Sequence, residues 1–387
     1  QTMMETIIPR SVEMTLQPRI GRPSYFEALI RHGYTRFGVY NRHYSPLGYS
    51  DPLTEYNELL QGVVLWPVAG ERQVQISGPD AEAFTQLLTP RKLKDMPVGR
   101  CRYVLITAQD GGIVNDPVCL KLAQDKFWLS AADSDLLLWA RGVNAVRGFN
   151  VKIEDPGVSV LQIQGPHSLT FIEQLAGPRA GAMRYFDFIE TTIADAPVII
   201  SRTGWSNEWG YEVYIKNASS GNEVFDFIVE QGKSFDLKLG TVSQVRRVEG
   251  ALLSWGADFG LDETPFDVGL GRLVSFEDGI EYIGRDALQE RASLPTQRQL
   301  VGVMFPGEPL PWSLEPRELV DTNGECYAMV TSLVHSPRLN ANIGFCLLTP
   351  SQAESNRNVR LRVEGNTVNG QLCDLPFVPH RRTTQDG

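Results

Sequence analysis

Polar and apolar residues alternate along Arg72-Gln-Val-Gln-Ile-Ser77, with Val74 and Ile76 on one side and Gln73 and Gln75 on the other. That period of two predicts a half-buried strand. Gly78-Pro79 interrupts it, and Pro79, whose missing N–H costs nothing in a first turn, marks a helix start. Phe84, Leu87 and Leu88 then share one helical face. The same unit recurs at Val160-Leu-Gln-Ile-Gln-Gly-Pro-His167, followed by Leu169, Ile172 and Leu175 at helical spacing. The two Gly-Pro pairs lie 165 − 78 = 87 residues apart. This reads either as an internal duplication inside an α+β domain or as two independent uses of a common unit.

Between the copies, Tyr103 to Ile106 and Pro117 to Leu122 predict strands joined by the turn Gln109-Asp-Gly-Gly112. A second hairpin is predicted from Val198 to Arg202 and from Tyr211 to Ile215. Helices are predicted from Asn222 to Gln231 and from about Val242 to Leu253. Ala292 to Gln299 contains Pro295 and few apolar residues, and reads as a linker. Beyond it the pattern turns to β at Leu300–Phe305, Cys326–Leu333, Ile343–Leu348, Val359–Val363 and Thr367–Leu372, the spacing of a small barrel or sandwich.

Composition narrows the function classes. A length of 387 residues suggests two or three domains with sizeable cores. A formal net charge of -10 without a basic block argues against nucleic acid and anionic membranes as partners. No apolar run is long enough to span a bilayer, and Gln1–Arg10 lacks the pattern of a secretory signal. The five cysteines are scattered, which fits reduced thiols and a cytoplasmic location. The five histidines never pair at metal spacing, so no catalytic metal is expected, and no dinucleotide, phosphate-loop or nucleophile-elbow motif occurs.

The candidate chemistry lies in carboxylates and aromatics near turns. Gly111-Gly-Ile-Val-Asn-Asp116-Pro sets an acid after a glycine turn, where a turn or cap role is the plain alternative. Ser201-Arg-Thr-Gly-Trp205-Ser-Asn-Glu208-Trp209-Gly-Tyr211-Glu212 gathers two tryptophans and an acid within five residues. Arg246-Arg247-Val-Glu249 falls on a predicted helix continuing to Trp255, with a solvated charged face as the alternative.

In combination these stretches resemble the aminomethyltransferase (glycine-cleavage T-protein) superfamily over nearly the whole chain. The Gly-Gly-Ile-x-x-Asp motif matches Gly111–Asp116, and an altered Gly-Tyr-Thr-Gly-Glu-x-Gly-x-Glu motif matches Gly204–Glu212. Arg247 and Glu249 match the Arg-x-Glu helix, Thr331–Leu339 matches Thr-Ser-x-x-x-Ser-Pro-x-Leu, and Pro376-Phe377 closes the pattern. Each motif is weak singly, but five in order are specific. Within the superfamily the chain is similar to tetrahydrofolate-dependent dimethylsulfoniopropionate demethylases at Val39–Asn41, Glu71–Val74, Asn115–Pro117, Trp128–Asp135, Gly204–Ser206 and Gly269–Gly271. It departs at Trp66-Pro67, Asn207 and Trp209.

The resemblance implies an α+β, three-domain clover-leaf around a central folate channel. Residues 1–291 would form the folate-binding methyltransferase region, as two interleaved α+β domains, and residues 300–387 a C-terminal β-barrel. It implies tetrahydrofolate as cofactor and a small methylated substrate as partner, and leaves a homodimer open. Carried over by position, Tyr103, Asp116, Glu208 and Arg247 line the pterin site, with Trp255 packing on the ring or its linker. A carboxylate such as Glu208 can accept adjacent pterin N–H donors as a bidentate pair. Asp116 is the expected catalytic residue, stabilising charge that reaches N5. Tyr40, Trp205 and Trp209, with Trp66 in reserve, offer aromatic faces for an onium methyl donor. Aminomethyl transfer of the glycine-cleavage type and demethylation of another N- or O-methylated compound remain alternatives.

Overall fold

The computed structural model describes residues 15–131, 135–313, 315–355 and 358–381. The Gln1–Arg10 segment and residues 132–134 of the Trp128–Asp135 stretch lie outside them. Both strand–turn–helix units form: Arg72–Ser77 leads to the helix Ala81–Leu88, and Ser159–Gln164 to Ser168–Ala176. Each turn requires glycine. Gly78 (φ +133) and Gly165 (φ +111) press so closely on other backbone that a Cβ would sit 2.6 Å from the Asn150 carbonyl and 2.4 Å from that of Gly62.

The two units enter different sheets. Arg72–Ser77 lies in an antiparallel five-stranded sheet in the order Lys152–Glu154, Arg72–Ser77, Lys126–Ala131, Val118–Ala123, Cys101–Tyr103. Ser159–Gln164 lies in a six-stranded sheet between Gly210–Ile215 and Val64–Pro67. Strands Phe188–Ile193 and Ala196–Ser201 extend that sheet at one edge, and Lys238–Leu239 closes the other in parallel. The chain crosses between the sheets twice, since Val64–Pro67 precedes the five-stranded sheet and Ser159 follows it.

Alternation sorts the side chains. Leu161 and Ile163 pack with Phe171, Phe225 and Ile228 of the covering helices, whereas Val160 joins Leu120, Trp128, Ile199 and Tyr214 between the sheets. A polar pair is embedded beside that layer. Glu71 and Glu212 hydrogen-bond each other, with Ser130 donating to Glu71, and Thr203, Tyr214 and Gln162 donating to Glu212.

The C-terminal β-pattern resolves as a closed six-stranded barrel, not a sandwich. The sixth strand, Arg317–Val320, has polar residues at its start and was not predicted. The long strand Cys326–Ser336 carries an irregularity between Thr331 and Val334, where Ser332 adopts φ +50. The α+β class and the barrel expected from the sequence are both present.

Three local expectations change. The strand Tyr103–Ile106 divides: Cys101–Tyr103 pairs with Val118–Ala123, while Ile106–Thr107 pairs with Ile113–Asn115 as a separate small ladder. The expected linker begins inside the helix Arg285–Ser293. The helix expected to reach Leu253 covers only Gln244–Glu249. Gly250 packs against Asn207, where a Cβ would lie 2.4 Å from the Asn207 Cγ, and Ala251 turns left-handed at φ +52. Trp255 therefore sits on a loop. No helix among the described residues is long and apolar enough to cross a membrane.

Candidate active site

The small hairpin bearing Asp116 is built by its glycines. Gly111 takes φ +87, and a Cβ on Gly112 would stand 2.1 Å from the Leu261 carbonyl oxygen. The 255–263 loop thus lies directly on the hairpin, with the Ile113 amide donating to the Glu263 carbonyl at 3.1 Å and Trp255 Nε1 to the Ile113 carbonyl at 2.8 Å. The Tyr103 hydroxyl donates to Asp116 Oδ2 at 2.8 Å.

Asp116 lies deep in the molecule yet keeps some accessible surface. Burial lifts its carboxyl from 3.8 to about 7, against the pull of the Tyr103 hydroxyl, and Asp258 adds to the rise. Tyr103, Leu253 and Trp255 pack as partly buried neighbours of the Leu105–Ile113–Phe259 core. Beside Asp116, both amide atoms of the fully buried Asn115 lack a hydrogen-bond partner. A buried carboxamide with neither donor nor acceptor used calls for a ligand or water.

The Arg246-Arg247 doublet is not a solvated face: the residues are 0% and 3% exposed. Ser243 caps their helix by accepting the Arg246 amide at 3.2 Å. Arg247 binds Asp258 at 2.8 Å, the Leu252 carbonyl at 3.1 Å, Ser332 at 2.6 Å and Gln244 at 2.7 Å. Of the five N–H donors of a guanidinium, those contacts leave one. Its charge lies 5.2 Å from the centre of the Trp205 ring. Asp258 also accepts from Thr331 and Ser332 of the barrel.

Glu208 follows in the same turn. Gly204 and Gly210 pack so tightly on Gln164 that a Cβ on either would approach its amide to within 2.3 and 2.1 Å. The turn closes with Ser206 donating to Gln164 and the Glu208 amide donating to Ser206. Arg246 donates twice to Glu208 Oε1, at 2.9 and 2.5 Å, and among the described residues Oε2 has no donor. Sequence reasoning missed Arg246, Asp258 and Asn115 as parts of this site; the adjacent arginines and the Asn-Asp pair were the available signals.

The expected aromatic cage is dispersed. Trp205 stands beside Arg247, but Trp209 packs on the six-stranded core with the Arg202 guanidinium 3.4 Å from its ring centre, so that face is already covered. Trp66 is 1% exposed and enclosed with Leu59, Val64 and Val242. Tyr40 is 36% exposed on the outer hairpin Arg36–Tyr40/His43–Gly48, against Gly70. No contact among the described residues joins Trp66 or Trp209 to the Asp116 cluster.

Residues 22–278 match the GCVT N-terminal domain, and residues 298–379 match the glycine cleavage T-protein C-terminal barrel domain. The chain belongs to the glycine cleavage T-protein family. Among relatives of this family member, it is 32% identical over 337 residues to the dimethylsulfoniopropionate demethylase DmdA of Ruegeria pomeroyi, covering 86% of this chain and 90% of that protein. It is 27% identical over 348 residues to an aminomethyltransferase of Oceanobacillus iheyensis, covering 87% and 92% of the two chains. The T-protein fold extends to the solved aminomethyltransferase T of the glycine cleavage system from Bartonella henselae, with a TM-score of 0.81 and 21% identity over 94% of this chain and 100% of that one.

Proposed function

We propose that this protein is a demethylase that transfers a methyl group from a small onium compound, dimethylsulfoniopropionate-like, to N5 of tetrahydrofolate. The chain is an enzyme of one-carbon transfer and tetrahydrofolate is its acceptor. The observation that carries the reading is Asp116: a buried carboxyl at about 7, held by Tyr103 and close to the Asp258–Arg247 pair. Similarity to the demethylase DmdA over 86% of the chain supports the choice of methyl donor.

The residues present suit a reduced pterin. The undonated Oε2 of Glu208 offers an acceptor to ring N–H groups, and the orphaned carboxamide of Asn115 holds two N–H donors and an acceptor oxygen. Tyr103 and Trp255 supply flat apolar walls. When bound, tetrahydrofolate supplies the amine nucleophile that receives the methyl group.

Asp116 takes the proton released as that secondary amine becomes tertiary. With a pKa of about 7 it both accepts and sheds a proton near neutrality. Tyr103 fixes Oδ2, which leaves Oδ1 as the oxygen that would receive the proton. Trp205 provides the aromatic face for the cation, a contact of about 2 kcal/mol when desolvated, and Tyr40 on the outer hairpin stays a candidate for the same role. Trp66 and Trp209 drop out of this proposed cage, because packing and Arg202 occupy them. In this reading residues 1–291 hold the folate, and the barrel of residues 300–387 braces Arg247 through Ser332.

The second reading is aminomethyl transfer, favoured by the similarity to aminomethyltransferases. One assay separates the two: incubation with tetrahydrofolate and a panel of methylated sulfonium, ammonium and ether compounds. Formation of 5-methyltetrahydrofolate with a sulfonium donor is expected. Ammonia release from an aminomethylated donor, without methyl transfer from any compound of the panel, overturns the proposal.

A further inference from the structure

Arg246 is fully enclosed, and all three guanidinium nitrogens bind carboxylates. Nε and Nη2 converge on Glu208 Oε1, and Nη1 reaches Glu249 Oε2 at 2.9 Å. Glu249 is fixed in turn at Oε1 by the Tyr56 hydroxyl at 2.8 Å and by Ser336 of the barrel at 2.6 Å. Four segments thus meet at one cation: the 204–210 turn, the helix Gln244–Glu249, the helix Pro52–Gln61 and the barrel strand Cys326–Ser336.

Stability alone is a weak reason for such an arrangement, since buried ion pairs are commonly replaced by apolar packing without loss. What the arrangement achieves is orientation. A guanidinium is a planar, rigid fork, and two N–H bonds converging on Oε1 pin that oxygen and so limit the carboxylate's swing about its Cγ–Cδ bond. Oε1 is consumed, and Oε2 is left as the single fixed acceptor.

We propose that Arg246 is the positioning residue of the folate site: clamped between Glu208 and Glu249, it aims Glu208 Oε2 at the pterin without touching it. This inference rests on the reading that Glu208 receives the pterin. It differs from the bidentate acceptance suggested by sequence, because one oxygen is already committed to the protein. Its neighbour Arg247 spends its donors on Asp258 and the barrel, so the two arginines divide the work.

A double-mutant cycle tests it, with the Kd for tetrahydrofolate read from quenching of tryptophan fluorescence. A hydrogen bond to a charged group sets the scale: Glu208→Gln and Arg246→Gln are each expected to raise Kd about tenfold or more. The double variant is expected to bind no more than about twofold worse than Glu208→Gln alone, because Arg246 acts only through Glu208. Losses that multiply in the double variant, or a near-normal Kd for Arg246→Gln, overturn the inference. An unchanged Kd for Glu208→Gln instead overturns the placement of the pterin. If Arg246→Gln does not fold, Arg246→Lys, which keeps the charge and loses the fork, is carried through the same cycle with the same criteria.

Discussion

Asp116 couples chemistry and stability through one proton. Burial holds its carboxyl near 7, so the ionised form that accepts the amine proton becomes dominant only above neutrality. The kcat for methyl transfer is expected to rise through about pH 7; a profile flat from pH 6 to 8 removes Asp116 as proton acceptor. Asp116→Asn should lower kcat by about a hundredfold or more, with far less effect on folate Kd. Equal loss in both defeats that role. The linkage sign is fixed by the direction of the shift. Because the folded-state value exceeds the ordinary 3.8, stability is full below that value and is lost as pH climbs towards 7. Asp116→Asn escapes the loss, so its Tm should exceed that of the parent at pH 8 and converge with it near pH 4. A second residue-scale prediction concerns Trp205: its replacement by Leu should raise the KM for a sulfonium donor roughly tenfold, as expected for a desolvated cation–aromatic contact. An unchanged KM takes Trp205 out of the donor site. Asp116 and Glu208 stood out as candidates in the sequence because they sit in motifs beside glycine turns, whereas Tyr103 entered only through the family resemblance. Arg246 did not stand out, since nothing in Arg-Arg-Val-Glu distinguishes a buried clamp from a solvated face.

Elements show where periodicity stops being informative. The helix starting at Gln244 has the apolar spacing to continue, yet it ends at Glu249 because Gly250 must fit against Asn207 from a turn some forty residues earlier. That approach depends on tertiary contact and leaves no local signal. Gly112 is the converse case: the Gly-Gly pair was read as a turn, but its second member exists to admit the Leu261 carbonyl. Gly112→Ala should therefore push the 255–263 loop off the hairpin and reduce folate affinity about tenfold, on the scale of a lost charged contact. Wild-type affinity in that variant would show that the loop does not shape the site. Between the sheets, Glu71 and Glu212 behave as one unit. Burial, and then Glu212, push Glu71 well up, and burial raises Glu212 despite three neighbouring donors. Two carboxyls bonded to each other favour sharing a proton. Stability from this pair is present below the ordinary value of 4.5 and declines as pH rises above it. Glu212→Gln should flatten the fall of Tm as pH rises above about 5; an unaltered slope shows that the pair does not carry it.

At the scale of the whole molecule, the chain order explains how much could be read. Strands that follow each other in sequence, as in the hairpin Ala196–Ser201/Gly210–Ile215 and most of the barrel, were recognisable from their own alternation. The assignment of Val64–Pro67 and Arg72–Ser77 to different sheets was not, because only a few residues separate them and the partners of each lie far along the chain. The barrel meets the candidate site through hydroxyls rather than charges: Thr331 and Ser332 on Asp258, Ser336 on Glu249. Ser332 stands inside the slip of the ladder between Thr331 and Val334, where its backbone turns left-handed. Removing one residue from that slip would restore the register and withdraw the Ser332 hydroxyl from Asp258 and Arg247. Asp258 and Arg247 would keep each other and the 244–254 segment but lose that tie to the barrel, so a length change of one residue in the C-terminal domain would be felt at the candidate site.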